Sequence, residues 1–348
     1  MLFGSDNWAG AAPEILQALS RHNDGAVPGY GGDRLSRTVA RRFSDVFETD
    51  CDVYFVATGG AANGLALSVL SPPYGLIVCH ELSHVQTDEC AGPEFLTGGA
   101  KLLPVGGVSG KLTPAAVRKQ LSSLPNHPPH SAPLAALTLT QGTECGTVYS
   151  PDEIAALART ARDHSLAVHM DGARFANAVI ATGASPADLS WRAGVDVMSF
   201  GGTKNGCLAA EAVVFFNREL VRDFEYRRKR AGHLLSKMRF IAAQFDAYLD
   251  DGLWLRLASH ANAMGQRLSS GLAALNGVEI SYPTQINEVF AVFPDSVADR
   301  LREAGAAFYP WVTPGDPAGG RMNRLIASFR TTAEEVDRFV ALVAKTLG

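Results

Sequence analysis

Residues 194–206, GVDVMSFGGTKNG, form a short apolar run with polar alternation through Val195, Val197 and Phe200. The run reads as a strand that stops at Gly201-Gly202 and delivers Thr203-Lys204 into a tight turn closed by Asn205-Gly206. A lysine is seldom wanted at a strand end for packing. Its amine is the side chain that condenses with a carbonyl when burial or a cationic neighbour keeps part of it unprotonated. One reading of Lys204 is therefore a Schiff-base lysine, and the other is a lysine in a solvated turn.

Residues 166–177, LAVHMDGARFAN, repeat the pattern, with Asp171 at the end of a short strand and a helix expected over 173–180. Ligands of open α/β sheets collect outside the carboxyl ends of the strands, so Asp171 and Lys204 are expected to face one crevice. Pyridoxal phosphate (PLP) chemistry needs that pair, a lysine to hold the cofactor and a carboxylate to keep its ring nitrogen protonated. The plain alternative for Asp171 is a helix N-cap. A third stretch, FVATGGAANGLA at 55–66, runs from a strand through a glycine turn into an alanine-rich helix. Bare glycine backbone at a helix start offers a cup for phosphate, although the stretch is neither G-x-G-x-x-G nor a Walker loop and could be a simple helix entry.

These segments resemble the low-specificity L-threonine aldolases of the PLP-dependent, aspartate-aminotransferase-like fold (fold type I). The resemblance extends from FGSDNWAG through GYGGD, ATGGAAN, HVQTDE, HMDGARFANA and SFGGTKNG to RKRAGHLLSKMRF and NRLIASF. It implies cleavage of L-threonine, L-allo-threonine and other β-hydroxy-α-amino acids to glycine and an aldehyde. A related PLP lyase or racemase acting on a bulkier substrate such as phenylserine is the nearest rival. The resemblance further implies that Lys204 carries PLP, that Asp171 pairs with its ring nitrogen, and that Arg174 lies near the ring oxygen and the substrate carboxylate. His84 matches the histidine that stacks on the pyridine face and is a candidate base. Thr58, Gly59 and Gly60 match the phosphate turn, and Ser5 and Arg324 the substrate-carboxylate positions. Tyr30 matches a tyrosine near the active site. Lys229 and Arg239 fall in a basic segment that reaches the phosphate near a subunit interface, so a homo-oligomer (a dimer or a dimer of dimers, the homotetramer) is expected. Two positions depart from the pattern: Gly60 replaces a frequent threonine, and Glu144 stands where another branch has a second active-site histidine.

The rest of the chain agrees with such an enzyme. Its 348 residues suggest a large unit over 1–250, with a mostly parallel, seven-stranded-type sheet between helices, and a smaller α+β unit over 251–348. The charge of −4 argues against a nucleic-acid partner. No apolar run approaches the ~20 residues of a membrane span, and no leader pattern is found. Five cysteines with no C-x-x-C pair suggest reduced thiols and a cytoplasmic protein. Strands are expected at 52–57, 75–79, 102–105, 134–140 and 211–217, alternating with helices at 34–47, 61–70, 113–121 and 152–164. Residues 220–249 are expected to be mostly helical. Beyond them, helices at 253–275, 296–303 and 333–347 alternate with strands at 278–282, 289–293, 307–310 and 324–329. HELSH at 80–84 matches the H-E-x-x-H zinc signature, but follows a strand, GLIVC, instead of lying in a long helix; no metal set is assigned, and His80 is read as a surface residue or one behind the site.

Overall fold

The computed structural model describes residues 1–311 and 322–348. Seven strands form the main sheet: β1 (Asp52–Val56), β2 (Leu76–His80), β3 (Lys101–Val105), β4 (Leu134–Thr140), β5 (Ala167–Gly172), β6 (Val197–Gly201) and β7 (Glu211–Phe215). Their order is β1-β7-β6-β5-β4-β2-β3. The five from β6 to β3 pair in parallel, whereas β7 runs antiparallel to both β1 and β6. All five residues of β2, β6 and β7 are buried, because helices cover both faces and leave no solvated side to alternate with. The expected α/β architecture is present.

Two helices fix the layers around the site. Helix Arg34–Phe47 is capped by Asp33, which accepts from the Ser36 amide at 2.8 Å, and buries Val39, Phe43 and Phe47 at four-residue spacing. Phe43 then meets Phe55, Phe200 and Phe245 within 6.3 Å, centroid to centroid. Helix Gly59–Leu70 begins at Thr58, whose hydroxyl accepts from the Ala61 amide. It is buried along most of its length because it packs on the sheet and on helix Gly92–Thr97. Gly64 allows that second contact: a Cβ there would lie 2.5 Å from Leu96.

The second sheet contains β8 (Glu279–Ile280), β9 (Glu288–Val292), β10 (Tyr309–Pro310) and β11 (Met322–Ile326), all antiparallel in the order β10-β11-β9-β8. The chain start joins it. The Phe3 amide donates to the Ala307 carbonyl and the Ile326 amide to the Phe3 carbonyl, both at 2.8 Å, and the Phe3 ring packs on Phe339.

Some expected boundaries change. Residues 220–249 divide into Phe224–Arg230 and Arg239–Leu249, broken after Ala231 where Gly232 takes φ +80°. The strand expected at 278–282 shrinks to Glu279–Ile280 and that at 324–329 shifts to Met322–Ile326, since strand length is set by what β9 can pair with. Among the described residues no helix is long and apolar enough to cross a membrane.

Candidate active site

Neighbouring parallel strands bring the two key side chains together. Asp171 on β5 stands opposite Ser199 on β6, so the residues leaving both strands emerge at one sheet edge. Lys204 follows in the single turn Thr203–Asn205, closed by Gly206 at φ +106°. Gly201 is required for close approach, because a Cβ there would lie 2.6 Å from the Ala173 carbonyl oxygen. Asp171 is buried, with Oδ2 accepting from Asn63 Nδ2 at 2.8 Å and Oδ1 from the Ala173 amide at 2.9 Å. It is not the cap of the next helix, which starts at Phe175 with Arg174 in the cap position. Two residues earlier on the same strand, His169 lies between Thr138 Oγ1 (2.8 Å) and Ser199 Oγ (3.0 Å). Burial pushes its pKa down to about 4, which keeps it neutral beneath the carboxylate.

A cavity of about 640 Å³ opens at this edge. It gathers Ser5, Thr58, Gly59, Gly60, His84, Glu144, Asp171, Arg174, Lys204 and Arg324 from the sequence expectations. Glu211, Glu288, Asp88 and Trp311, which carry no role in the sequence expectations, line it too. The donor set fits PLP. A lysine, a buried carboxylate and a helix start line it together, and no heavy atom lies within 4 Å of a Cβ built on Gly59. First-turn amides of that helix have no preceding carbonyl to bond and favour an anion.

The charges are unevenly paired. Arg174 donates to Asp6 through Nε (2.7 Å) and Nη2 (3.0 Å), and its Nη1 lies 3.4 Å from Glu288. Burial alone would lower its pKa, but Asp6 and Glu288 outweigh burial and raise it. Arg174 is thus anchored by protein carboxylates. Arg324, stacked 4.6 Å over Trp311, has a buried Nε without a partner among the described residues. Glu144 accepts from the His84 amide through Oε1 at 2.7 Å, while its Oε2 is buried. Burial pushes its carboxyl up to about 7.

Three expected residues lie elsewhere. Tyr30 is 54% exposed at φ +58°, and Lys229 Nζ sits 4.7 Å over its ring. Arg239 donates to the carbonyls of Asp24 and Gly25. None of the three lines the cavity of its own chain. In HELSH, His80 closes β2 and His84 opens the next short helix, so the two do not share a helix face. His80 is buried, not a surface residue, because its ring turns back to accept from the Leu82 amide.

Glu211 is the residue that the sequence reading missed most clearly. It opens the apolar strand EAVVF, and a lone acid in a fully buried strand is the signal that would have found it. Its Oε1 accepts from the Thr203 amide at 3.3 Å, bracing the lysine turn, and burial pushes it up to about 7. A carboxyl whose folded pKa is raised contributes stability below its unfolded pKa, which is lost as pH rises through about 7. Glu211→Gln keeps an acceptor for Thr203 and carries no charge. It is expected to stabilise the fold at pH 8, by up to about 3 kcal/mol, and to change little at pH 5; thermal melts at the two pH values check this.

Residues 3–295 match the family model described as beta-eliminating lyase. The chain is 44% identical to a low specificity L-threonine aldolase of Pseudomonas sp., over 94% of this chain and 96% of that one. It is 43% identical to another from Pseudomonas aeruginosa, over 99% and 98%. Among solved structures, a threonine aldolase of Leishmania major superposes with a TM-score of 0.92 at 27% identity, covering 100% of this chain and 99% of the other.

Proposed function

The chain belongs to the beta-eliminating lyase family, and on that footing we propose how its own residues carry out PLP-dependent cleavage of L-threonine, L-allo-threonine and other β-hydroxy-α-amino acids to glycine and an aldehyde. One observation carries the reading: Lys204, the buried Asp171 and the helix start at Thr58 line a single cavity.

When bound, PLP supplies an electron-accepting ring for the electron pair released as the Cα–Cβ bond breaks. Lys204 would anchor it, Asp171 would hold the proton at its ring nitrogen, Thr58, Gly59 and Gly60 would receive its phosphate, and His84 would pack against its ring. Arg324, whose Nε is unpartnered among the described residues, and Ser5 hold the substrate carboxylate, while Arg174, fixed by Asp6, orients the same end of the site. Two groups that line the cavity are assigned the β-hydroxyl proton, His84 and Glu144, the latter held beside His84 by its bond from the His84 amide. Two such acceptors would give each configuration at the β-carbon its own base, so turnover of both threonine and allo-threonine is expected.

Tyr30, Lys229 and Arg239 are assigned to the cavity of a second copy, making the enzyme a dimer or a dimer of dimers. We place it in the cytoplasm, a reading supported by its five unpaired cysteines, and divide it at about residue 250. The test is product analysis of L-threonine, L-allo-threonine and L-phenylserine incubations. Glycine and acetaldehyde are expected from both threonines; release of benzaldehyde from phenylserine without acetaldehyde from either threonine would reassign the enzyme to bulkier substrates.

A further inference from the structure

Glu89 ends the HVQTDE stretch and lies behind the wall formed by His84. Its side chain is 4% exposed, although Asp88 and Cys90 on either side face solvent. Its Oε1 is the meeting point of two bonds, one with His84 Nδ1 at 2.9 Å and one from Asn63 Nδ2 at 2.8 Å. The same Asn63 nitrogen donates to Asp171 Oδ2 at 2.8 Å. One amide thus bridges two carboxylates, and a continuous chain runs Asp171–Asn63–Glu89–His84.

The direction of each bond follows from donor chemistry. The Asn63 amide nitrogen carries two hydrogens and can only donate, so a carboxylate oxygen on each side accepts. With Glu89 ionised and accepting, the hydrogen between it and His84 belongs to Nδ1. Nε2 then carries the lone pair. Glu89 Oε2 is buried and has no partner among the described residues, so none of them draws the carboxylate away.

We infer that Glu89 is a positioning residue that fixes His84 as the Nδ1–H tautomer, leaving Nε2 to accept the β-hydroxyl proton, and that Asn63 ties this pair to the carboxylate at the ring nitrogen. The inference rests on the proposed role of His84 as one of the two proton acceptors. Several groups act on the imidazole. Glu89 raises its pKa through the hydrogen bond, burial opposes that, Asp171 from β5 raises it and Lys204 from the turn after β6 lowers it. Glu144 holds its backbone amide, and Asp88 stands at the cavity rim on the same segment. Carboxylate partners that orient metal-bound histidines are worth about 10–100-fold in affinity or activity, and the same scale is expected for a partner orienting His84.

The experiment is ring-labelled histidine NMR of the holoenzyme across pH, the His84 signal assigned by its loss in His84→Asn, beside pH profiles of kcat/KM for both threonines. In the wild type the imidazole is expected to titrate above the ordinary histidine value, because of its hydrogen bond to Glu89. In Glu89→Gln its midpoint is expected to fall. The diastereomer served by His84 loses about 10–100-fold in kcat/KM, and its acid limb moves down in pH by the same shift as the NMR midpoint. A merely structural role would leave the midpoint in place. Glu89→Asp retains a carboxylate at shorter reach and is expected to lower the midpoint by less, which keeps the test open if the glutamine variant does not fold. A wild-type midpoint in the variants that fold overturns the inference. The base assignment fails separately: if His84→Asn turns over both threonines normally while Glu89→Gln still shifts the titration, His84 is not a proton acceptor and the Glu89–His84 pairing stands.

Discussion

Lys204→Ala is expected to lose the visible absorption band of lysine-bound PLP and to lower threonine cleavage by at least about 10³-fold, the scale seen when a catalytic unit loses its covalent group. The fold should survive. The lysine sits in a turn held by backbone bonds, with the Cys207 amide donating to the Gly202 carbonyl at 3.0 Å and the Gly202 amide to the Ala210 carbonyl at 3.1 Å. None of these uses the Lys204 side chain. Absorbance before and after gel filtration measures cofactor retention, and glycine formation measures turnover. A variant with near-normal rates would remove Lys204 from the mechanism.

The second large effect is selective. Glu144→Gln keeps an oxygen to accept from the His84 amide, so His84 should hold its place. What disappears is an ionisable acceptor facing the cavity, and proton transfer by such groups contributes about 10²–10⁴-fold. A fall of about 10²-fold in kcat/KM is expected for one of threonine and allo-threonine, with little change for the other, so the threo/erythro ratio moves strongly. His84→Asn should move it the opposite way. As an acceptor Glu144 must be ionised, and burial holds it near 7. The wild-type rate on its preferred diastereomer therefore rises with pH through about 7, and that limb is absent in the glutamine variant. Stability has the opposite sign: the buried carboxyl destabilises the fold as pH rises from its unfolded value through 7. An unchanged ratio with an unchanged pH profile would exclude Glu144 from proton transfer.

The sequence made the strand ends legible and left the walls obscure. GGTKNG and MDGAR are local signals, since a strand, a stop and a charged residue follow one another within a few positions, and β5 and β6 turned out to be neighbours as open-sheet geometry requires. Glu211 escaped notice because its importance depends on β7 running antiparallel, which sets its first residue beside Gly201 at the same edge. Asp6 and Glu288 were invisible for another reason. Their partner, Arg174, is 168 residues from Asp6 and 114 from Glu288, and no local pattern announces a pairing across such distances. The resemblance draws Arg174 to the cavity, which it lines, but says nothing of the two carboxylates that hold it there. The assignments of Tyr30, Lys229 and Arg239 rest on resemblance, since these residues pack on one another's surroundings and not on their own chain's cavity.

The attachment of the first residues to the second sheet has a mechanical consequence. Phe3 is clamped between Ala307 and Ile326, and Ser5 and Asp6 follow it immediately, while Arg324 lies on β11 of that same sheet. Ser5 and Arg324 are therefore placed by the second sheet, and Lys204, Asp171 and Thr58 by the first, with Arg174 after β5 tied across to Asp6 and Glu288. Substitutions that change how the second sheet seats on the first would shift where a substrate's carboxylate is carried while leaving the Lys204 turn untouched. The seam between the two sheets, and not the cavity lining alone, is then the place to alter when the range of accepted side chains is to be widened or narrowed.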